Sequence, residues 1–241
     1  MKRAVISMSG GLDSTCLALY LLNSGYNVKA YAFDYGQKHS IELDNVRKNV
    51  EFLNTLKLPI TLQIINLKDV FSESNSSLRG VGEIPKEEYN NQNITSTVVE
   101  NRNIIFSSII YGKALSWANK DKENVIISLG IHAGDHAVYP DTTEESFQAA
   151  AHTFKISNIG SERIEYKAPF VNCDKAEVLN LGISSMKELG LNNEDILTVL
   201  KNTHSCYDPT EGKSCGKCAT CVERMDAFKQ NGYIDPIDYI K

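Results

Sequence analysis

No run of apolar residues in this 241-residue chain is long enough to cross a bilayer as a helix. The apolar stretch after the basic start Met1-Lys2-Arg3 stops at Met8 in a glycine turn. That is too short for the core of a secretory signal, and no small-residue cleavage site follows. A cytoplasmic location is therefore expected. Positive charge is also scarce. Lys and Arg number 25 against 30 Asp and Glu, a net charge of −5. Such a chain has no broad positive field to coat nucleic-acid phosphates, so nucleic acid is not an expected partner. Internal repeats and low-complexity tracts are absent. So are the two common nucleotide fingerprints, GxxxxGK[ST] and GxGxxG. What remains is 42% apolar and 23% charged, the composition of an ordinary globular protein, which excludes a disordered or collagen-like chain.

The hydrophobic pattern alternates between strand and helix. Residues 3–7, 28–33 and 60–66 read as strands. Between them, residues from Asp13 to Asn23 and 40–55 carry apolar residues at helical spacing, and Gly25 supplies a helix stop. Residues 68–98 are rich in Ser, Asn, Glu and Gly without a sustained period, a long loop of the kind that is often functional. A buried helix over 102–118, a strand over 124–129, a helix over 143–154 and a weaker strand over 163–168 follow. Asp174 can cap a helix over 175–182. Strands joined by helices predict an α/β fold: a Rossmann-like five-stranded, mostly parallel sheet with helices on both faces. Residues 1–185 are expected to form this domain. Residues 186–241 are expected to form a small helical, metal-bearing region packed on it, with Val222, Met225 and Phe228 of a helix over 219–230 turned inward.

The first strand runs into Ser9-Gly10-Gly11-Leu12-Asp13-Ser14, with a helix behind it. Glycines let successive N–H groups turn into one concavity, and the helix adds its N-terminal partial positive charge, so the segment is suited to an anion. Ser9 and Ser14 can donate hydroxyl hydrogen bonds, and Asp13 can help hold magnesium. SGGxDS in this setting resembles the pyrophosphate loop of the ATP pyrophosphatases, which include NAD synthetase, GMP synthetase and tRNA-modifying ligases. The resemblance implies cleavage of ATP between its α and β phosphates and activation of a substrate oxygen as an AMP ester.

Cys206, Cys215, Cys218 and Cys221 give C-x8-C-x2-C-x2-C. Four thiolates complete a tetrahedral Zn²⁺ site and leave no place for water, so the expected metal is one structural zinc. An iron–sulfur cluster and a redox CxxC pair are rival readings. Cys16 and Cys173 are expected to be buried thiols of the fold, with a catalytic thiol as the alternative.

Further runs extend the comparison over nearly the whole chain. They are Asp34-Tyr35-Gly36-Gln37-Lys38-His39 with Glu42-Leu43 behind it, Arg102-Asn103, Gly130 leading to Tyr139-Pro140-Asp141, Lys175 with Glu177, and Ser205-Cys206-Tyr207 ahead of CGKCATC. The combination resembles the 7-cyano-7-deazaguanine synthase (QueC) family. That resemblance implies an ATP-dependent, AMP-forming carbon–nitrogen ligase that turns 7-carboxy-7-deazaguanine, ammonia and two ATP into the nitrile preQ0 through an adenylate and an amide. It implies ATP on Met8, Ser9, Gly10, Gly11, Leu12, Asp13, Ser14, Thr15, Cys16, Leu17 and Ala18, with Mg²⁺ as companion. Asp13, Arg102 and Lys175 become the expected catalytic residues. Gln37, His39, Arg102, Asn103, Asp135, Tyr139 and Asp141 become the expected substrate contacts, with Asp135 or Asp141 reading donor edges of the base. His132 and His136 are weaker candidates for the same pocket. Members of the family are often homodimers.

The sequence departs from the family pattern at three places. VPGRN is replaced by Val99-Glu100-Asn101-Arg102-Asn103. Cys-Arg after Tyr-Pro-Asp is replaced by Thr142-Thr143. A DYSG-like run is replaced by Asp135-His136-Ala137-Val138. All three changes fall at the expected substrate edge. They leave open a retuned relative that stops at the amide or uses another amine. A non-catalytic nucleotide- or tRNA-binding module is the alternative from another class.

Overall fold

The structure, a computed structural model, describes residues 1–38, 41–80, 94–132 and 140–240. His39, Asp135, His136 and Tyr139 lie outside the described residues. Five strands form one parallel sheet: β1 (Lys2–Ser7), β2 (Tyr26–Asp34), β3 (Ile60–Asn66), β4 (Val125–Ser128) and β5 (Ile164–Lys167), in the order β3-β2-β1-β4-β5. The expected α/β sheet is present, and every pairing is parallel.

Helices α1 (Leu12–Asn23), α2 (Ile41–Thr55) and α5 (Lys175–Glu188) bury one face of the sheet. Helices α3 (Arg102–Asp121) and α4 (Glu144–Ser157) bury the other. Helix α1 stops where the reading of Gly25 placed it: Gly25 takes φ +80° and its N–H bonds the Leu22 carbonyl. Helices α1 and α5 approach so closely that a Cβ at Gly182 would collide with the Cys16 side chain. Burial there raises the Cys16 thiol far above the usual range, which makes it an inert core group. Cys173 is half-buried, and burial raises its thiol as well.

Helix α5 runs to Glu188, beyond the expected end at residue 182 and across the expected boundary at 185. Its start is set by a capping box: the Asp174 carboxylate accepts from the Glu177 N–H at 2.8 Å, and the Glu177 carboxylate accepts from the Asp174 N–H at 2.9 Å. Lys175 is thereby fixed as the first helical residue. The C-terminal helices α6 (Asn193–Lys201) and α7 (Ala219–Gln230) insert Ile196, Val199, Leu200, Ala227 and Phe228 into the same core as α1 and α5.

The inward face of α7 differs in part from expectation. Phe228 is buried as expected and Met225 is half-buried, but Val222 is 44% exposed, and Cys221, Arg224 and Ala227 are buried in its place. Arg224 is fully buried because its charge is matched. It reaches Asp235 through Nε at 2.7 Å and Nη2 at 3.0 Å, Thr203 at 2.8 Å and the Leu200 carbonyl at 3.3 Å. An apolar-periodicity reading passes over such a residue because it assigns arginine to the solvent side.

Two of the departures from the family pattern have a local account. Asn101 takes φ +55°, a left-handed conformation that asparagine adopts more readily than other non-glycine residues, so it can stand where VPGRN has glycine. Thr143 caps α4, its hydroxyl oxygen accepting from the Ser146 N–H at 3.2 Å. The third, Asp135 to Val138, lies outside the described residues. Among the described residues no helix is long and apolar enough to cross a membrane.

Candidate active site and metal centre

The chain leaves β1 for β2 and β3 on one side, and β4 and β5 lie on the other. The crevice beyond the C-terminal ends of β1 and β4 is therefore a topological switch point, where open α/β sheets bind ligands. Two adjoining cavities of ≈ 300 and ≈ 230 Å³ open there. Both are lined by Ser7, Ser9, Gly11, Asp13, Arg102, Asn103, Phe106 and Tyr207.

The glycine turn forms their common floor. Gly10 takes φ +93°, and a Cβ there would collide with the Glu42 carbonyl, so both backbone conformation and space demand glycine. The Ser9 and Ser14 hydroxyls stand 3.2 Å apart, and the Gly11 N–H donates to Ser9 Oγ at 3.2 Å. No side chain caps α1 at Gly11, which leaves its N-terminal N–H groups to an anion.

The next layer is charged. Lys175 is 7% exposed, with its Nζ 3.1 Å from Asp13 Oδ2 and 2.9 Å from Glu223 Oε2. His132 is fully buried and its Nε2 lies 3.8 Å from the same Asp13 oxygen. Burial alone would raise the Asp13 carboxyl. The Lys175 ammonium, and after it His132, outweigh that and hold it below the usual carboxylate range. Arg102, the first residue of α3, donates to the Tyr35 hydroxyl at 3.3 Å and to Asn103 Oδ1 at 3.3 Å.

Of the residues expected from the sequence, Ser9, Gly11, Asp13, Ser14, Gln37, Arg102, Asn103, Asp141 and Lys175 line the cavities. Met8, Leu12, Cys16, Leu17 and Ala18 place their side chains in the core, and Thr15 is buried against the Gly11 carbonyl. Gln37 spends its amide on the turn that leaves β2. Its oxygen accepts from the Tyr35 N–H at 3.0 Å and its nitrogen donates to the Phe33 carbonyl at 3.2 Å. Asp141 and Thr142 edge the second cavity beside Phe147 and Tyr166.

Four residues outside the expected site set also line the first cavity: Tyr35 and Glu42, which the family runs include without a role, and Phe106 and His204. Burial pushes the Glu42 carboxyl up to about 7, against the opposing pull of Arg102. The folded value is above the unfolded one. The stabilisation from holding the proton is therefore complete below pH ~4.5 and lost as pH rises through about 7. Ionised Glu42 then costs up to about 3 kcal/mol, and about 1–2 kcal/mol for a half-buried group that water still screens. Glu42→Gln should raise the melting temperature by about 2–6 °C at pH 8 and leave it unchanged at pH 4. Equal shifts at both pH values in a thermal melt would contradict this account.

The metal centre forms the far wall. The sulfurs of Cys206, Cys215, Cys218 and Cys221 all lie within 4.8 Å of one another. Cys215 Sγ and Cys221 Sγ are 4.0 Å apart, close to the ~3.8 Å edge of a tetrahedron with Zn–S bonds of about 2.3 Å. Backbone N–H groups of Asp208 and Cys215 donate to Cys206 Sγ at 3.3 and 3.2 Å, and those of Lys217 and Cys218 to Cys215 Sγ at 3.4 and 3.3 Å. Donors aimed at sulfur suit thiolate ligands, so the four residues fit a metal ion. The centre is tied to the glycine turn, because the His204 N–H donates to the Gly10 carbonyl at 3.0 Å and the His204 ring bonds the Cys206 carbonyl at 2.8 Å.

In fold, the chain is similar to a 4-thiouridine synthetase solved as an RNA complex with bound ATP, with a TM-score of 0.51 and 17% identity over 95% of this chain and 50% of that one. In sequence, it is 37% identical to the 7-cyano-7-deazaguanine synthase of Marinomonas sp. (strain MWYL1) over 99% of this chain and 98% of that protein. It is 35% identical to the 7-cyano-7-deazaguanine synthase of Archaeoglobus fulgidus over 98% and 89%. The family profile described as queuosine biosynthesis protein QueC matches residues 3–232, and the chain belongs to the QueC family.

Proposed function

We propose that this protein is a 7-cyano-7-deazaguanine synthase, an ATP-dependent, AMP-forming carbon–nitrogen ligase. The observation that carries the reading is the cation-flanked glycine turn at the switch point. An uncapped helix N-terminus and Lys175 meet on one side of the cavity, and Arg102 stands on another. A carboxylate oxygen of 7-carboxy-7-deazaguanine attacks the α-phosphorus of ATP and pyrophosphate leaves. Ammonia adds to the activated carbonyl carbon and AMP leaves, giving the amide. A second ATP activates the amide oxygen. Loss of that oxygen with AMP, and of the remaining N–H protons, leaves the nitrile. Both activations drive an oxygen nucleophile onto the anionic triphosphate, and in the first that nucleophile is itself anionic, so the protein's part is positioning and charge neutralisation.

In this reading the stretch from Ser9 to Ser14 receives the pyrophosphate end of MgATP, with Asp13 beside the cation. Arg102 and Lys175 neutralise phosphate or substrate carboxylate. Asp141 accepts from the donor edge of the base, which the aromatic rings of Phe147 and Tyr166 would enclose. His39, Asp135 and Tyr139 are further contacts proposed from the family pattern. The four cysteines hold one structural zinc. The nucleotide domain runs through helix α5 to Glu188, and the residues after it form the zinc-bearing region. The protein works as a cytoplasmic homodimer on small molecules and not on nucleic acid.

Mass spectrometry of an assay with 7-carboxy-7-deazaguanine, MgATP and ammonium tests the proposal. Nitrile with AMP is expected. Amide alone with AMP would assign the chain to a retuned relative, a reading favoured by Thr142 on the second cavity where the family has cysteine. Absence of AMP would discard the deazaguanine substrate.

A further inference from the structure

Glu223 lies in the first turns of α7, two residues beyond the metal-site Cys221, yet its carboxylate pairs with Lys175, which lines the first cavity. Glu223 Oε2 stands 2.9 Å from Lys175 Nζ, whose other carboxylate neighbour among the described residues is Asp13 at 3.1 Å. The ammonium is thus shared by these two carboxylates, one on the helix that carries the glycine turn and one on the helix that carries Cys221. Asp13 Oδ2 also has His132 at 3.8 Å, whereas Asp13 Oδ1 is buried with no hydrogen-bond partner among the described residues. A buried carboxylate oxygen without a partner is costly unless a ligand completes it.

We propose that Glu223 is a positioning residue for the phosphate loop. It holds the Lys175 ammonium away from full pairing with Asp13, keeping Asp13 Oδ1 available to the divalent cation that accompanies ATP. The argument is one of charge sharing. A cation between two carboxylates neutralises each only in part, so Asp13 keeps negative charge for Mg²⁺. With Glu223 neutral, Lys175 turns wholly to Asp13 and competes with Mg²⁺ at that carboxylate. The metal-bearing helix therefore acts in nucleotide binding through a side chain, in addition to forming a wall. This inference rests on the proposed use of MgATP but not on the identity of the second substrate.

The test measures binding of α,β-methylene-ATP, an analogue uncleavable at the relevant bond, by calorimetry across a Mg²⁺ titration. The full chain is used, as wild type, Glu223→Gln, Asp13→Asn and the double variant. Glu223→Gln should raise the Mg²⁺ concentration for half-maximal analogue binding by about tenfold, the scale of one charge-assisted hydrogen bond. Metal content and melting temperature should match wild type. In the Asp13→Asn background the same substitution should have no further effect. An unchanged Mg²⁺ requirement, or an equal loss in the Asp13→Asn background, would overturn the proposal. Loss of the cysteine-bound metal with a lowered melting temperature would also overturn it, by giving Glu223 a structural role only. Glu223→Asp, which keeps the charge on a shorter stem, should recover part of the Mg²⁺ affinity; recovery no better than Gln would count against a role for the charge. Because the readout is nucleotide binding, it stands even where the product assay returns no deazaguanine chemistry.

Discussion

Cys218→Ser should release the bound metal and melt the segment from Thr203 to Thr220, while the parallel sheet stays folded. Cys218 is buried, caps α7 and contributes one of four sulfurs. The small cluster around the sulfurs holds only Cys206, Cys218 and Cys221, with Cys215 and Tyr239 packed against it. It has too little apolar surface to hold its own loop. Structural zinc supplies on the order of 10–16 kcal/mol of apparent binding energy, more than many whole domains retain as net stability. The damage should remain local, because Ala227 and Phe228 stay anchored in the main core. It should nevertheless reach the cleft, since His204, Ser205, Tyr207 and Thr220 line the first cavity. Re-ordering even two such residues on binding costs about 2–4 kcal/mol, so nucleotide affinity should fall by about thirtyfold or more. Metal analysis, amide hydrogen exchange and calorimetry with an ATP analogue check the three parts. A metal-free variant with full protection of this segment and wild-type nucleotide affinity would show that the metal organises nothing.

The α/β pattern was readable because strand and helix periods differ and because the first two crossovers are short. The strand over 60–66 coincides with β3, the first helix ends ahead of Gly25, and the second ends at Thr55 as read. Strand order was hidden for a physical reason. Ala4, Val5 and Ile6 of β1 and every residue of β4 are buried on both faces, so the central strands carry no alternation to orient them. Alternation survives at the edges, in Ile164-Glu165-Tyr166-Lys167 of β5 and the first residues of β3. That contrast is the signal by which edge and centre could have been told apart.

The candidate site divides in the same way. The glycine turn and the four cysteines are local in sequence, so their chemistry showed in their spacing. Glu42 and His204 line the cleft, and Glu223 meets its Lys175, all from separate elements brought together by tertiary packing. In sequence, each looks like an ordinary polar residue on a solvated face. The family runs around Glu42 and Ser205 marked the neighbourhood but did not single out these side chains.

Arg224→Met should lower stability by about 3–5 kcal/mol, the cost of leaving a buried charge without its partner. In a chain of this size that is a fall of roughly 6–20 °C in melting temperature. The guanidinium is 0% exposed and its fork grips both oxygens of Asp235. It also satisfies Thr203 and the Leu200 carbonyl, so one side chain joins the end of α6, the segment before Cys206 and the C-terminal tail. Asp235 would keep the Tyr239 hydroxyl, which donates to Oδ2 at 2.6 Å, and that bond softens the loss without removing it. The pair need not be a net source of stability, because two desolvated ions recover by attraction roughly what they lost in hydration. Arg224→Met combined with Asp235→Leu should therefore be more stable than Arg224→Met alone. Thermal melts of the two singles and the double would separate the cases. A double variant as unstable as the sum of the singles would mean that the hydrogen bonds to Thr203 and Leu200, and not the uncompensated charge, dominate this joint.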